Sequence, residues 1–285
     1  MMKAILVDTT KCQGCEQCVS ACTQVNGLPP EIPEPKLRED GLSSRRVSSV
    51  VRLPRGGFAK KQCLHCLSPG CVTVCPVGAM QKTAAGPVIY DRDKCMGCRY
   101  CMLGCPVGIP RYEWDKTLPY AVKCDMCYPR LERGEAPACV QACKYGVLQF
   151  GERDALLSEA HGRLAQGRAR YVQHVFGERE LGGTSVMYLA NQPLDVLGWP
   201  DQMGDRALAS FTWPLISKTP WMALGVASFL VGTQFIIQRR MRLGAEAAGP
   251  AEDSSTKSEQ GASAEGAPEA TPGAADESAG KGEVQ

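Results

Sequence analysis

The sequence predicts an α+β chain: two pseudo-symmetric modules of short strands and short helices, then one C-terminal transmembrane helix and a disordered tail. Three observations predict it. Sixteen cysteines fall into four groups of four, and none lies outside them. The residues leading into the first group are echoed ahead of the third. Residues 219–238 carry no charge over a run of 20.

The cysteine groups come first in the sequence. Group one is Cys12, Cys15, Cys18 and Cys22, spaced C-x2-C-x2-C-x3-C. Group two is Cys63, Cys66, Cys71 and Cys75. Group three, Cys95, Cys98, Cys101 and Cys105, repeats the spacing of the first, and group four is Cys124, Cys127, Cys139 and Cys143. Thiolates are soft ligands that suit iron–sulfur clusters, and the x2, x2, x3 run is the bacterial ferredoxin spacing. At four ligands each, sixteen cysteines predict four [4Fe–4S] clusters, and each module reads as dicluster-ferredoxin-like. Such a chain, without a catalytic constellation, moves electrons.

The spacing has a physical reason. Three cysteines two residues apart wrap one tight loop around three iron corners. Gly14 and Gly97 stand where a positive φ is cheapest. A fourth cysteine three residues on is expected to start a helix pointing away and so to reach the other cluster. Pro76 and Pro106 follow Cys75 and Cys105, whereas Thr23 and Lys144 stand there in groups one and four, a weaker match. A disulfide framework also gives an even count, but C-x2-C pairs are too close for most bridges. Zinc held by four cysteines is the better rival. Groups one and three offer three cysteines in a row rather than two pairs, which favours the clusters and leaves a zinc-held scaffold as an alternative.

The repeat supports the doubling. Val7-Asp8-Thr9-Thr10-Lys11-Cys12 parallels Tyr90-Asp91-Arg92-Asp93-Lys94-Cys95. Ile5-Leu6-Val7 and Val88-Ile89-Tyr90 each read as a strand feeding a cysteine loop. Cys75-Pro76-Val77-Gly78 parallels Cys105-Pro106-Val107-Gly108, and Cys143-Lys144-Tyr145-Gly146 is a looser copy followed by a strand at 147–150. Residues 1–150 therefore form a four-cluster domain with a thin apolar core, stapled by its metal.

Residues 151–218 contain no cysteine and read as a packing or partner-contact extension. A helix is predicted over 153–167, with Leu156, Leu157, Ala160 and Leu164 on one face. Tyr171-Val172 and 184–189 read as short strands, and Gly182-Gly183 as a turn. Residues 197–200 and 211–214 lead into the next element.

Residues 219–238 predict a transmembrane helix: 20 residues at 1.5 Å rise cover about 30 Å, one hydrocarbon thickness. Lys218 and Arg239 close its ends, and Trp213 and Trp221 stand where an interfacial aromatic belt would lie. Gly225, Ser228 and Gly232 make a small-residue stripe suited to another membrane helix. Residues 244–285, rich in Ala, Glu, Gly, Ser and Pro with no aromatic residue, predict a disordered tail. Arg239, Arg240, Arg242 and Lys257 against Arg206 and Lys218 place the tail in the cytoplasm and the cluster domain in the periplasm. Met1 to Asp8 does not read as a signal peptide, so export would require a signal-bearing partner.

Composition excludes some functions. A net charge of +2 gives no field suited to nucleic acid. No nucleotide fingerprint, molybdopterin ligand set or nucleophile motif is present, so the chain is not expected to be an enzyme on its own. The apolar helix has no histidine to ligate haem, and His65, His161 and His174 read as structural or surface residues. A redox sensor would need an output domain, and none is visible.

With these residues in view, the chain resembles the iron–sulfur β subunit of membrane-bound formate dehydrogenases. It is equally similar to the ferredoxin subunit of membrane-bound nickel–iron hydrogenases. The resemblance rests on the four cysteine groups, Gly182-Gly183-Thr184-Ser185-Val186 and the single late helix, and covers about residues 3–243. The cysteine pattern alone also fits the β subunits of dimethyl sulfoxide, nitrate and polysulfide reductases. The resemblance implies four [4Fe–4S] clusters whose ligands are exchanged between groups. Cluster 1 would use Cys12, Cys15, Cys18 and Cys143, and cluster 2 Cys22, Cys124, Cys127 and Cys139. Cluster 3 would use Cys63, Cys66, Cys71 and Cys105, and cluster 4 Cys75, Cys95, Cys98 and Cys101. It further implies a catalytic molybdopterin or nickel–iron subunit and a membrane cytochrome b or quinone-binding subunit as partners, in the inner membrane. Reverse electron flow, in a reductase, is the alternative.

Overall fold

The computed structural model describes residues 2–29, 40–117, 119–197 and 204–247. It divides into two compact units, Met1–Met222 and Ala223–Gln285. In order, β1 (Lys3–Asp8) leads through a 3-10 turn, Thr9–Lys11, into α1 (Gln17–Val25). A hairpin, β2 (Ser49–Arg52) and β3 (Phe58–Lys61), precedes α2 (Gly70–Thr73). A second, β4 (Met80–Lys82) and β5 (Val88–Tyr90), precedes α3 (Tyr100–Leu103). A third, β6 (Arg111–Tyr112) and β7 (Ala121–Val122), precedes α4 (Tyr128–Glu132) and α5 (Ala138–Gln141). Then come β8 (Leu148–Glu152), α6 (Arg153–Gln166), β9 (Val186–Leu189), α7 (Leu208–Ile216) and α8 (Thr219–Ala247). A strand thus feeds every cysteine group: β1, β3, β5 and β7 end just before Cys12, Cys63, Cys95 and Cys124.

β1 is the centre of a three-stranded sheet, antiparallel to β8 and parallel to β9. Both its faces are buried, which is why it reads as a continuous apolar run. With the strand period of two, Ile5 and Val7 face a core that contains Cys63, Cys124 and Cys139. Ala4 and Leu6 face the other side, where Leu156, Ala160 and Leu164 of α6 pack as the helical period required.

Two sequence expectations are corrected here. The fourth cysteine does not start a helix: Cys75, Cys105 and Cys143 each follow a one-turn helix that carries the third, and Cys22 lies inside α1. A single turn is long enough to aim the third thiol and then throw the backbone past it. Tyr171-Val172 is not a strand, because it makes one ladder bond, from Val172 N–H to Ala190 O at 2.8 Å, and Tyr171 is anchored by its hydroxyl instead. The turn expected at Gly182-Gly183 is a 3-10 turn, Glu180–Gly182, with both glycines at positive φ. Residues 211–214 fall inside α7, and 198–200 of the predicted lead-in lie outside the described residues.

In the second unit, α8 continues as one helix to Ala247, with Leu224, Phe229, Leu230 and Phe235 exposed. The 39 residues Leu208–Glu246 are long and apolar enough to cross a membrane by length and composition. The helix outlasts its apolar stretch because Arg, Met, Leu, Ala and Glu are all strong helix formers. Residues 244–247 therefore belong to it rather than to the tail, and the rest of the predicted tail lies outside the described residues.

Candidate metal centres

The four cysteine loops share one backbone feature. The residue before the second cysteine has a left-handed φ in every group: Gly14 at 73°, His65 at 48°, Gly97 at 75° and Met126 at 60°. That conformation turns its N–H back onto the first thiol. Gly97 N–H donates to Cys95 Sγ and Met126 N–H to Cys124 Sγ, both at 3.4 Å. Glycine signalled the turn in groups one and three. His65 and Met126 gave no sequence signal, since residues with a side chain rarely adopt this region.

The repeated Asp-x-x-Lys-Cys segment is a capping device. Asp8 Oδ1 accepts from Thr10 N–H at 3.2 Å, and Asp91 Oδ1 from Asp93 N–H at 3.1 Å. The lysine three residues on pairs with the same carboxylate, Lys11 at 3.7 Å and Lys94 at 2.7 Å. Both devices fix the entry into a cysteine loop.

Helix packing then decides which groups meet. α1 packs on α5, and α2 on α3. The second contact is made at glycines: a Cβ on Gly70 would collide with the carbonyl oxygen of Gly104. Group one is thereby brought to group four, and group two to group three.

The thiols assemble accordingly. A small pocket is lined by Cys12, Cys15, Cys18 and Cys143. Burial pushes up the Cys12 thiol, with Cys143 and Cys15 adding to the rise. Burial pushes Cys127 up to about 11, and the nearby Cys139 and Cys22 add to the rise. Cys71 is pushed up to about 12, first by burial and then by Cys63, with Cys105 adding. Burial raises Cys101 as well, with Cys95 and Cys98 beside it. Cys75 packs in the same small core as Cys101 and Tyr112. Thiols that burial and neighbouring thiols keep from ionising alone are suited to a metal that takes the charge of the thiolates.

Donors aimed at sulfur complete the fit to iron–sulfur clusters. Ile109 N–H donates to Cys105 Sγ at 3.4 Å and Asn26 Nδ2 to Cys22 Sγ at 3.6 Å. Tyr112 Oη lies 3.3 Å from Cys101 Sγ. Ser48 Oγ and Tyr90 Oη are buried without a well-formed partner, beside Cys22 and Cys95. Such donors are left to serve thiolate or sulfide acceptors.

The stretch from Gly182 to Val186 braces group two. Gly183 O accepts from Leu67 N–H at 2.9 Å, and the N–H groups of Ser185 and Val186 donate to Leu64 O at 3.1 and 3.0 Å. The cysteine-free extension is thus part of the cysteine cradle. His161 is exposed and 3.2 Å from Glu178, and His174 is 2.5 Å from Glu180. His65 is fully buried. Sequence reasoning missed Lys60, which lines the cavity of Cys12. In Lys60-Lys61 only strand alternation, invisible in so short an element, shows that one lysine points inward.

Strand-fed cysteine loops, brought together by the packing of α1 on α5 and of α2 on α3, are the arrangement that an iron–sulfur electron carrier needs. Residues 11–80 and 55–153 each match a family described as 4Fe-4S dicluster domain. The chain is 31% identical over 281 residues to the hydrogenase-2 operon protein HybA of Escherichia coli O157:H7, covering 84% of each protein. It is 35% identical over 206 residues to the nitrate-inducible formate dehydrogenase iron-sulfur subunit of Escherichia coli K12, covering 67% of this protein and 69% of that one. Against the B subunit of the anaerobic dimethyl sulfoxide reductase of the same organism it is 36% identical over 168 residues, covering 56% and 77%. This protein belongs to the family of ferredoxin-type [4Fe–4S] electron-transfer subunits.

Proposed function

We propose that this chain is the electron-transfer subunit of a membrane-bound oxidoreductase, with four [4Fe–4S] clusters. It would relay electrons between a catalytic subunit of hydrogenase or formate dehydrogenase type and a membrane cytochrome b or quinone-binding partner. The observation that carries this is the meeting of group one with group four and of group two with group three. The ligand sets are then Cys12, Cys15, Cys18, Cys143; Cys22, Cys124, Cys127, Cys139; Cys63, Cys66, Cys71, Cys105; and Cys75, Cys95, Cys98, Cys101. When bound, the clusters supply one-electron redox chemistry. The protein's own residues hold the thiolates, donate hydrogen bonds to sulfur and exclude water. No catalytic role is assigned to the subunit itself.

Residues 1–150 carry the clusters, 151–218 brace them, and 219–238 form the membrane-crossing part of α8. The basic residues after this stretch favour a cytoplasmic C-terminus and a periplasmic cluster domain, in the inner membrane of a bacterium. Likeness to a dimethyl sulfoxide reductase subunit over 56% of the sequence supports a second reading, a molybdopterin reductase with the opposite flow. The detergent-solubilised complex, isolated through this subunit, separates them. Bleaching of the visible iron–sulfur absorbance by hydrogen or formate supports the first. Bleaching only by a reduced quinol, with reoxidation by a small reducible substrate, supports the second. No bleaching by either overturns both.

A further inference from the structure

Lys60 is 2% exposed, among the largest fully buried side chains. It and Lys61 end β3, and strand alternation sends them to opposite sides. Lys61 Nζ lies 3.0 Å from the Asp40 carboxylate, which also takes Arg111 at 2.7 Å. Lys60 goes to sulfur. It lines the cavity of Cys12, Cys15, Cys18 and Cys143. The thiols that act on its ammonium are Cys139, Cys18, Cys22 and Cys124, three of them from the neighbouring set.

The ammonium donates to Gln62 Oε1, and among the described residues no carboxylate pairs with it. Tyr188 Oη donates to the Lys60 carbonyl at 2.9 Å and fixes the backbone there. A buried ammonium without a carboxylate is costly, and the acidic groups beside it are the thiols of groups one and four. Lys82 and Lys123 stand beside thiols of group two instead, and they donate to main-chain carbonyls, His65 O at 3.0 Å and Cys124 O at 2.9 Å.

We propose that Lys60 is the shared counter-cation of the two metal centres built from groups one and four, and that it raises the reduction potential of both. The proposal rests on the four-cluster reading. Accepting an electron adds negative charge, and a fixed cation in a site poor in water favours the more negative state. One ammonium between two centres would shift both in the same direction.

The test is a redox titration followed by electron paramagnetic resonance on the full-length protein, purified anaerobically in detergent. Iron and sulfide are measured on the same samples. Lys60→Met is expected to keep its iron and to move two of the four transitions to lower potential, while the other two hold. Lys60→Arg is expected to keep wild-type potentials. Iron-complete Lys60→Met with four unchanged transitions would overturn the proposal, as would Lys60→Arg shifted as far as Lys60→Met. Where Lys60→Met loses iron, Lys60→Gln is read in its place. Loss of iron in both, with Lys60→Arg intact, would also overturn it, since the lysine would then serve assembly rather than potential. Wild-type iron well below about sixteen per protein would instead sink the four-cluster reading.

Discussion

The main-chain N–H of Val88 donates a 2.9 Å hydrogen bond to Nδ1 of His65. His65 lies in the loop of group two, and Val88 in the strand that feeds group three, so one bond ties two cysteine cradles together. His65→Leu leaves a buried N–H without a partner, at about 1–3 kcal/mol. His65→Asn costs less, because asparagine tolerates a left-handed φ. Thermal loss of the iron–sulfur absorbance ranks the wild type and the two variants. Equal midpoints would refute the role given to the bond.

Exchange of the fourth cysteine predicts which substitutions share a phenotype. Cys75→Ala and Cys95→Ala should remove the same paramagnetic signal, and Cys75→Ala and Cys63→Ala different ones. Each should lower iron by about four per protein. If Cys75→Ala instead removes the signal lost in Cys63→Ala, the pairing is wrong.

Gly14 and Gly27 separate backbone strain from crowding. Both have a positive φ, at 73° and 57°. A Cβ on Gly14 would meet the Phe58 ring at 2.8 Å, whereas one on Gly27 meets nothing within 4 Å. Gly27→Ala is expected to cost about 1 kcal/mol. Gly14→Ala adds overpacking of about 1–3 kcal/mol and reduces the iron held by group one. Midpoints of thermal cluster loss and iron content check both, and similar behaviour of the two variants would contradict the crowding.

Asp40 predicts an acid-side effect. Burial alone would raise its carboxyl, but Lys61, the Leu42 N–H and Arg111 outweigh it and hold it below the usual range. A lowered carboxyl contributes stability that is complete above about pH 4 and lost as pH falls through its own pKa. Asp40→Asn should destabilise the fold by about 3 kcal/mol near neutrality, since two largely buried cations lose their partner. The gap between the variant and the wild type should narrow below about pH 4. A gap that stays constant through the acid range would show that Asp40 is not the group responsible.

Much of this was legible in the sequence because cysteine spacing is a local signal. Groups one and three announced their loops through Gly14 and Gly97, and Ile5-Leu6-Val7 announced β1. The helix over 153–166 declared itself by period. What was not legible lies in contacts between distant segments. His65 and Met126 adopt the same left-handed turn as the glycines, but only the requirement to place a second thiol imposes it. β2, β4, β6 and β7 are two to four residues long, too short for a period to show. Lys60 carried no sequence signal, and its place shows only once β3 lies against the pocket of Cys12. The bracing of Leu64 and Leu67 by residues 183–186 joins segments more than 100 residues apart, which no local pattern reports.

Metal analysis of the anaerobically purified full-length protein tests the four-centre assignment most directly. Four cubes at four iron each predict about sixteen iron and sixteen acid-labile sulfide per protein, with zinc near zero. About four zinc per protein with little sulfide would contradict it and make the cysteine cradles a membrane-tethered zinc scaffold.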